Sequence, residues 1–537
     1  MTLTDIRSPN LSRHLTLTKP ATRSDKGIVT AHNRLAAHIG AGILERGGSA
    51  VDAAIAVSFA IGVLEPWMSG IGGVGAMLVR TSDGAVTAID AGARAPAALD
   101  PADFPLTEGA DADLFGWPNV VEDRNVIGAK SICIPGILRG LERAHARFGR
   151  LPWADLVAPA VALAAEGPQV DAHTTLWIAS DMARIGRNAA CAEWFLPGGL
   201  PPVAPAAVTG KVKRLPNPAL ARTLATIAAE GAGAFYTGPI AEALAGDVQA
   251  LGGYLSCDDL AGFAAVETPS KTEPYREFTL HLVPELNGGV TVALALRDLS
   301  ARTRPEGAVP TPAEVVQSCA ALARAWEHRF ANLGDGAERS LPSCTTHFSV
   351  VDREGMAVSL TQTQLSLFGS GVVSPRTGVL LNNGVNWFDP RPGRVNCIGP
   401  GKKALANYSP MMMVGPGEDV IAIGGSGGRK ILPAVFQALI HVADHGQDLE
   451  TAIAAPRFDL SAPPVVVADA RLGAETVAAL AKQFPVVVSE RMEHPNAFTT
   501  LGAVRRKDGM NEGMAEPWHL WSEAVAEGEA LMPAVTL

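Results

Sequence analysis

Polar and apolar side chains alternate from Thr345 to Asp352 and again from Met356 to Thr363, the period of a half-buried strand. Between the two runs lies Arg353-Glu354-Gly355, a three-residue loop whose Gly can take the left-handed conformation that such a hairpin requires. The pattern therefore predicts a β-hairpin. If Asp352 pairs with Met356, Thr345 falls directly across from Thr363, and side chains so opposed sit about 5 Å apart. One face then carries Thr345, His347, Ser349, Ser359, Thr361 and Thr363; the other carries Phe348, Val350, Val358 and Leu360. Thr is a good strand former, so an ordinary amphipathic hairpin fits the same pattern.

Elsewhere the periodicity is mostly helical. Residues 1–27 read as a loose tail. Two helices are predicted at about 33–46 and 50–64, parted by Gly47-Gly48, the second opened by a capping-box-like Ser49 and Asp52. Ala53 to Leu64 is the longest apolar run, too short to span a bilayer and so a buried helix. Gly70-Ile-Gly-Gly-Val-Gly75 then leads into a strand over Ala76–Arg80, a turn at Ser82-Asp83-Gly84 and a strand over Val86–Asp90. These glycines match G-x-G-x-x-G, but with a helix before and a strand after, the reverse of a dinucleotide fold; a tight turn with close backbone approach fits instead. Residues 130–265 read as mainly helical with breaks near 197–206, and 275–330 as a strand followed by a helix. The mixed Pro, Gly and charge of 301–344 suggests a surface connection.

A second glycine loop has more promising neighbours. Asp419–Ile423 reads as a strand, Gly424-Gly-Ser-Gly-Gly428 follows, and a helix begins at about Lys430 with Pro433 in its first turn. Arg429 stands where a phosphate loop of the Walker type has Gly, and no Ser or Thr follows Lys430. The arrangement is either a tight strand-to-helix turn or a set of N–H groups aimed at a negative charge, a phosphate or a transient oxyanion.

Composition narrows the class. At 537 residues the chain exceeds one ordinary core, so two domains or one large layered domain is expected. Hydrophobic residues at 47% indicate a globular protein, and 55 Gly with 39 Pro suit a loop-rich α/β enzyme. A net charge of −10 with no basic cluster argues against nucleic acid. The six cysteines form no CxxC or Cys/His group, which argues against a structural zinc and suits reduced thiols. With a polar stretch from Met1 to Lys26, the expectation is a cytoplasmic protein without secretory signal, membrane span, metal or cofactor.

Taken as an ordered set, several motifs resemble the gamma-glutamyltransferase family: Gly47-Gly-Ser-Ala-Val-Asp-Ala-Ala54, Thr345-Thr-His-Phe-Ser-Val-Val-Asp352, Phe368-Gly-Ser-Gly371, Leu380-Leu-Asn-Asn383, Ser409-Pro410, Gly424 to Gly428 and Ala455-Pro-Arg-Phe458. The resemblance runs from about Lys26 almost to the end. It implies an α+β fold, the four-layer αββα sandwich of N-terminal-nucleophile hydrolases, and self-cleavage between Cys344 and Thr345. A large chain from 28 to 344, behind the 1–27 tail, and a small chain from 345 to 537 would stay associated as one domain. Thr345 would be the nucleophile, its freed α-amine the base, Thr363 a hydrogen-bond partner of the nucleophile, and Gly427 and Gly428 the oxyanion hole. One such donor contributes roughly 3–4 kcal/mol.

The chain departs from the family where substrate is gripped. Gly92 replaces the Arg that holds the glutamyl α-carboxylate, with Arg94 two residues on as a substitute. Trp387 replaces the Asp that holds the α-amine. Ala406-Asn407 replaces a Ser pair. Asn383, Asn386 and Asn407 remain as polar substrate contacts. An uncompensated ammonium in a pocket is costly, so the expected substrate is a small amide bearing a carboxylate, as in the divergent branch that includes oxamate amidohydrolases and cephalosporin-acylase-like enzymes. The alternatives are a true gamma-glutamyl hydrolase or transpeptidase, and a non-catalytic phosphate-binding protein.

Overall fold

The computed structural model describes residues 17–110, 117–206, 210–333, 344–490 and 498–529. Two seven-stranded sheets form its centre. In the first, the strands run Glu523–Ala526, Ile28–Ala31, Cys344–Val351, Ala357–Leu365, Val74–Arg80, Val86–Ala91 and Val266–Pro269. In the second they run Thr22–Ser24, Met510–Ala515, Thr500–Lys507, Val420–Ser426, Met411–Val414, Phe278–Leu282 and Lys271–Tyr275. Neighbouring strands in both are antiparallel.

Each sheet has one face against helices. Val350, Phe348, Val358 and Leu360 of the hairpin pack with Val57, Phe59 and Ile61 of the helix Ala50–Leu64. On the far side, Leu280, Leu282, Ile421 and Ile423 pack with Leu296, Trp326 and Phe436 from the helices Gly288–Ser300, Pro312–His328 and Ile431–Ala443. The inner faces meet one another, partly through Ala76, Leu78, Met412, Ala422 and Val504. The result is the four-layer αββα sandwich. Because helices cover one face of the hairpin and the second sheet the other, its hydroxyl-rich face is buried rather than wet.

The two leading helices form at Arg34–Glu45 and Ala50–Leu64, and Ser49 and Asp52 make the reciprocal capping box. The Gly70–Gly75 segment is a turn, and a Cβ at Gly72 would collide with the Leu380 carbonyl, so close backbone approach explains the glycine. Two expectations need correction. The loose tail ends earlier than residue 27, because Thr22–Ser24 pairs with Asn511–Gly513 and Ile28–Ala31 lies beside the Thr345 strand. The surface connection of 301–344 contains a helix, Pro312–His328. Pro312 does not stop it: at the first helical turn its missing N–H costs nothing, and Thr311 with Glu314 forms a capping box. Residues 334–343 of that stretch lie outside the described residues.

Candidate active site

The hairpin forms as its alternation predicts. Asp352 N–H donates to the Met356 carbonyl at 3.0 Å, and Gly355 has φ of 87°. Register holds from Val351↔Ala357 to Thr346↔Gln362, then shifts to Cys344↔Leu365. Thr363 and Gln364 thus lie opposite the single Thr345, so the expected direct pair is a bulge, a device that re-aims a side chain. The Thr345 and Thr363 hydroxyl oxygens are 3.5 Å apart, at the long limit of a hydrogen bond. Thr363 Oγ1 also accepts from Leu365 N–H at 2.8 Å, and Leu365 holds a φ of 85°, unusual for a branched side chain. Thr345 is 4% exposed.

Beneath Thr345, a buried amide network braces the next residue from the helix layer. Ser69 donates to Thr346 Oγ1 at 3.1 Å, and Gln362 Nε2 donates to Ser69 Oγ at 3.0 Å and the Ser58 carbonyl at 3.2 Å. On the other face, His347 lies within 2.9 Å of Thr361 Oγ1 and 2.8 Å of Ser349 Oγ. Burial pulls its imidazole down to about 3, so it is a neutral core histidine.

The glycine loop lies against this hairpin from the second sheet. Ser426 Oγ accepts from His347 N–H at 3.1 Å, and Ser359 Oγ donates to the Ile423 carbonyl at 3.0 Å. Gly424 has no Cβ because one would collide with the His347 ring. Gly427 and Gly428 have φ of 139° and 61°, and a Cβ at 427 would lie 2.9 Å from Thr499 Oγ1. They open the turn Gly428–Lys430 and the helix Ile431–Ala443. The first N–H groups of a helical turn have no partner inside it and favour negative charge. Two threonine hydroxyls on one sheet and a helix-start glycine pair from the other thus lie on facing elements, a set suited to acyl transfer.

The predicted substrate contacts scatter. Arg94 is exposed, its guanidinium reaching the Gly401 carbonyl at 3.3 Å, and so lies outside this group. The reason is strand alternation: Ala93 and Ala95 take the buried directions. Asn383 spends its side chain internally, accepting from Ser366 N–H at 3.0 Å and donating to Val126 O at 2.9 Å and Ser366 Oγ at 2.8 Å. Asn386 is buried, with neither amide atom hydrogen-bonded. Asn407 Oδ1 accepts from Arg329 Nη2 at 2.8 Å. A Cβ at Gly92 would sit 2.6 Å from the Tyr408 hydroxyl and 3.6 Å from Lys403 Cε, so no long side chain fits there. Trp387 is buried edge-on to Tyr408, with centroids 5.6 Å apart.

Two buried arginines stand out that the sequence pattern did not single out as site residues. Arg329 ends a helix within what read as surface connection, and a basic residue there ordinarily points to water. Arg429 was visible only as a mismatch to a phosphate loop. Both are at least 94% buried.

The gamma-glutamyltranspeptidase family model matches residues 36–344 and 337–526 of this chain. The Acylase ACY 1 proenzyme of Pseudomonas sp. (strain V22) is 32% identical over 542 aligned residues, covering 91% of this chain and 94% of its own. Glutathione hydrolase 3 of Arabidopsis thaliana is 30% identical over 467 residues, 78% of this chain and 70% of that protein. Among solved structures, a cephalosporin acylase from Bacillus halodurans superposes with a TM-score of 0.81 over 97% of this chain and 99% of its own; at 23% identity this is a likeness of fold.

Proposed function

The chain belongs to the gamma-glutamyltranspeptidase family of hydrolases and acyltransferases, and from that premise we propose that it is a self-processing amidohydrolase acting on a small amide that bears a carboxylate. The observation that carries the reading is the meeting of the Thr345 and Thr363 hydroxyls, 3.5 Å apart, beside the loop that ends in Gly427-Gly428.

Maturation begins with Thr345 Oγ1 attacking the Cys344 carbonyl; the peptide bond breaks as an ester forms, and water hydrolyses the ester. Residues 1–344 and 345–537 result. Both sheets take strands from both chains, with Ile28–Ala31 seated between Glu523–Ala526 and the Thr345 strand, which supports two chains that stay together. Thr345 then carries a free α-amine. Such amines titrate near pH 8 and can take the proton of the neighbouring hydroxyl. The hydroxyl adds to the substrate amide carbonyl, the oxyanion is met by the Gly427 and Gly428 N–H groups, and the proton passes to the departing amine. Water then hydrolyses the acyl-enzyme. The acylase relative, and the filled positions at Gly92 and Trp387, favour a donor other than a gamma-glutamyl group.

Purified protein should resolve on a denaturing gel as chains of about 344 and 193 residues, the sizes set by a cut after Cys344, the second beginning Thr-Thr-His-Phe. An active preparation that sequences as intact precursor overturns the mechanism. A panel of glutaryl, oxamate and gamma-glutamyl amides then separates the substrate readings: a preference for the gamma-glutamyl donor restores the transpeptidase assignment.

A further inference from the structure

A cavity of about 1090 Å³ lies in the helix layer over the second sheet, between the start of the helix Pro312–His328 and the last turn of the helix Ile431–Ala443. Small-molecule sites run to roughly 300–1,000 Å³, so there is room for a sizeable ligand. Most of residues 302–311 line it as a roof, held down where His445 Nδ1 lies 2.6 Å from the Gly307 carbonyl and where Gln447 Nε2 donates to the Ala308 carbonyl at 2.6 Å. The cavity stands apart from the reacting centre. About 15 Å of helix separates Ile431, beside the glycine loop, from His441, at the cavity wall.

The wall says what kind of ligand fits. Its arginines are already neutralised: Arg276 pairs with Asp444 at 2.8 Å, Arg304 with Glu277 at 3.0 Å and Arg471 with Asp469 at 2.7 Å, while Arg302 lies 3.7 Å from Asp298. Glu314 accepts from Thr311 N–H at 2.7 Å, and Glu306 is exposed at the rim. A charged ligand would have to break one of these pairs. Leu299, Val315, Ile440, Phe458 and Leu472 supply apolar surface. Two polar atoms of the wall are buried and without a hydrogen-bond partner, His441 Nδ1 and Gln447 Oε1, and the His441 side chain is 7% exposed. Burial, and after it the charge of His445, draws His441 down to about 4, a pull that the neighbouring Gln447 opposes. The imidazole is therefore neutral. Leaving such atoms unpaired is costly. A hydroxyl meets both, donating to the Gln447 oxygen and accepting from the imidazole N–H. Water would do the same for the two atoms but would leave the apolar surface wet.

We infer that this cavity is a second binding site, for an uncharged, mainly apolar molecule that carries a hydroxyl. The hydroxyl docks at His441 and Gln447, and the body of the molecule lies against the apolar wall. Burial of that body drives binding, and the two polar atoms fix its orientation. The site does not depend on the reaction carried out at Thr345.

The test uses the full chain and three matched probes: 1-naphthol, naphthalene and 1-naphthoate. Fluorescence titration should find one saturable site for 1-naphthol. Naphthalene, which lacks the hydroxyl, should bind roughly fivefold more weakly. The naphthoate, whose carboxylate competes for arginines already paired, should bind roughly tenfold more weakly. Ala313 is exposed and lines the cavity, so Ala313→Trp fills the space without disturbing the core; it should abolish binding at an unchanged Tm. His441→Phe keeps a ring but removes the nitrogen, and should bring 1-naphthol down to the affinity of naphthalene. Thr345→Ala should bind 1-naphthol as the wild type does, which keeps the result separate from the amidohydrolase reading. The inference is overturned by an absence of saturable 1-naphthol binding, by binding that survives Ala313→Trp or is lost in Thr345→Ala, by tighter binding of the naphthoate, or by a preference for 1-naphthol over naphthalene that persists in His441→Phe.

Discussion

Two neighbouring regions of this molecule are built on opposite principles. Around Thr345 the polar groups are short, neutral and mutually bonded: hydroxyls of Thr346, Ser349, Ser359, Thr361 and Thr363, the Gln362 amide and an uncharged His347. Around Arg429 two long charged side chains, Arg329 and Arg429, lie among aromatic and amide groups from residues 117, 326, 330, 386 and 407. The first region is positioned by β-register and by backbone, and a bulge of one residue is enough to re-aim Thr345. The second is assembled by side chains spanning several layers.

The contrast can be broken at its centre by Thr345→Ala. That variant should remain a single uncut chain without amidase activity, while Thr345→Ser should cut slowly; a Thr345→Ala protein that matures normally would place the nucleophile elsewhere. Next in size is Gly424→Ala, whose Cβ would press on the His347 ring. Overpacking of this kind costs about 1–3 kcal/mol, so a lowered Tm is expected, and an unchanged Tm would mean the two sheets can slide apart locally.

The neutrality of the hairpin face has a pH signature. Burial holds His347 down at about 3 and His441 at about 4, below the ordinary value of 6.5. The unfolded chain therefore binds protons that the folded chain refuses, so stability is complete above about pH 6.5, is lost progressively as pH falls from there, and the loss is complete once pH has fallen through the folded values. His347 alone accounts for about 2 kcal/mol between pH 7 and pH 5. Denaturation at the two pH values should find the loss, and His347→Gln should reduce it; a pH-independent midpoint would contradict a buried neutral imidazole.

Smaller still is Thr363→Val, which removes one hydroxyl and keeps the shape. Loss of a hydrogen bond worth about 1 kcal/mol predicts a several-fold drop in kcat, with a modestly lowered Tm because the buried Leu365 N–H loses its Thr363 acceptor; wild-type turnover would remove Thr363 from the reaction. Arg94→Ala sharpens the comparison by doing almost nothing. Its guanidinium is on the surface, where substitutions stay within about 0.5 kcal/mol, so kcat/KM for a glutaryl donor should stay at the wild-type value. A large loss there would return the carboxylate grip to Arg94.

What the sequence determined was the part governed by local rules. Period-two alternation and a Gly-terminated loop defined the hairpin, and Ser49 with Asp52 started a helix at the right residue. A strand, five residues rich in Gly and an apolar helix placed the Gly427–Gly428 turn. The helix at Pro312–His328 was also legible, in its capping box, but the mixed composition of 301–344 pointed to a surface connection instead. Tertiary structure alone decided three things. It set the one-residue register shift at Thr345, because a bulge depends on what packs behind both strands. It turned Arg94 outward although the sequence spacing allowed either direction. It buried Arg329 and Arg429 together, a hundred residues apart in the chain, because whether a charged side chain faces water or a neighbour depends on which layers close over it, and no local pattern records that closure.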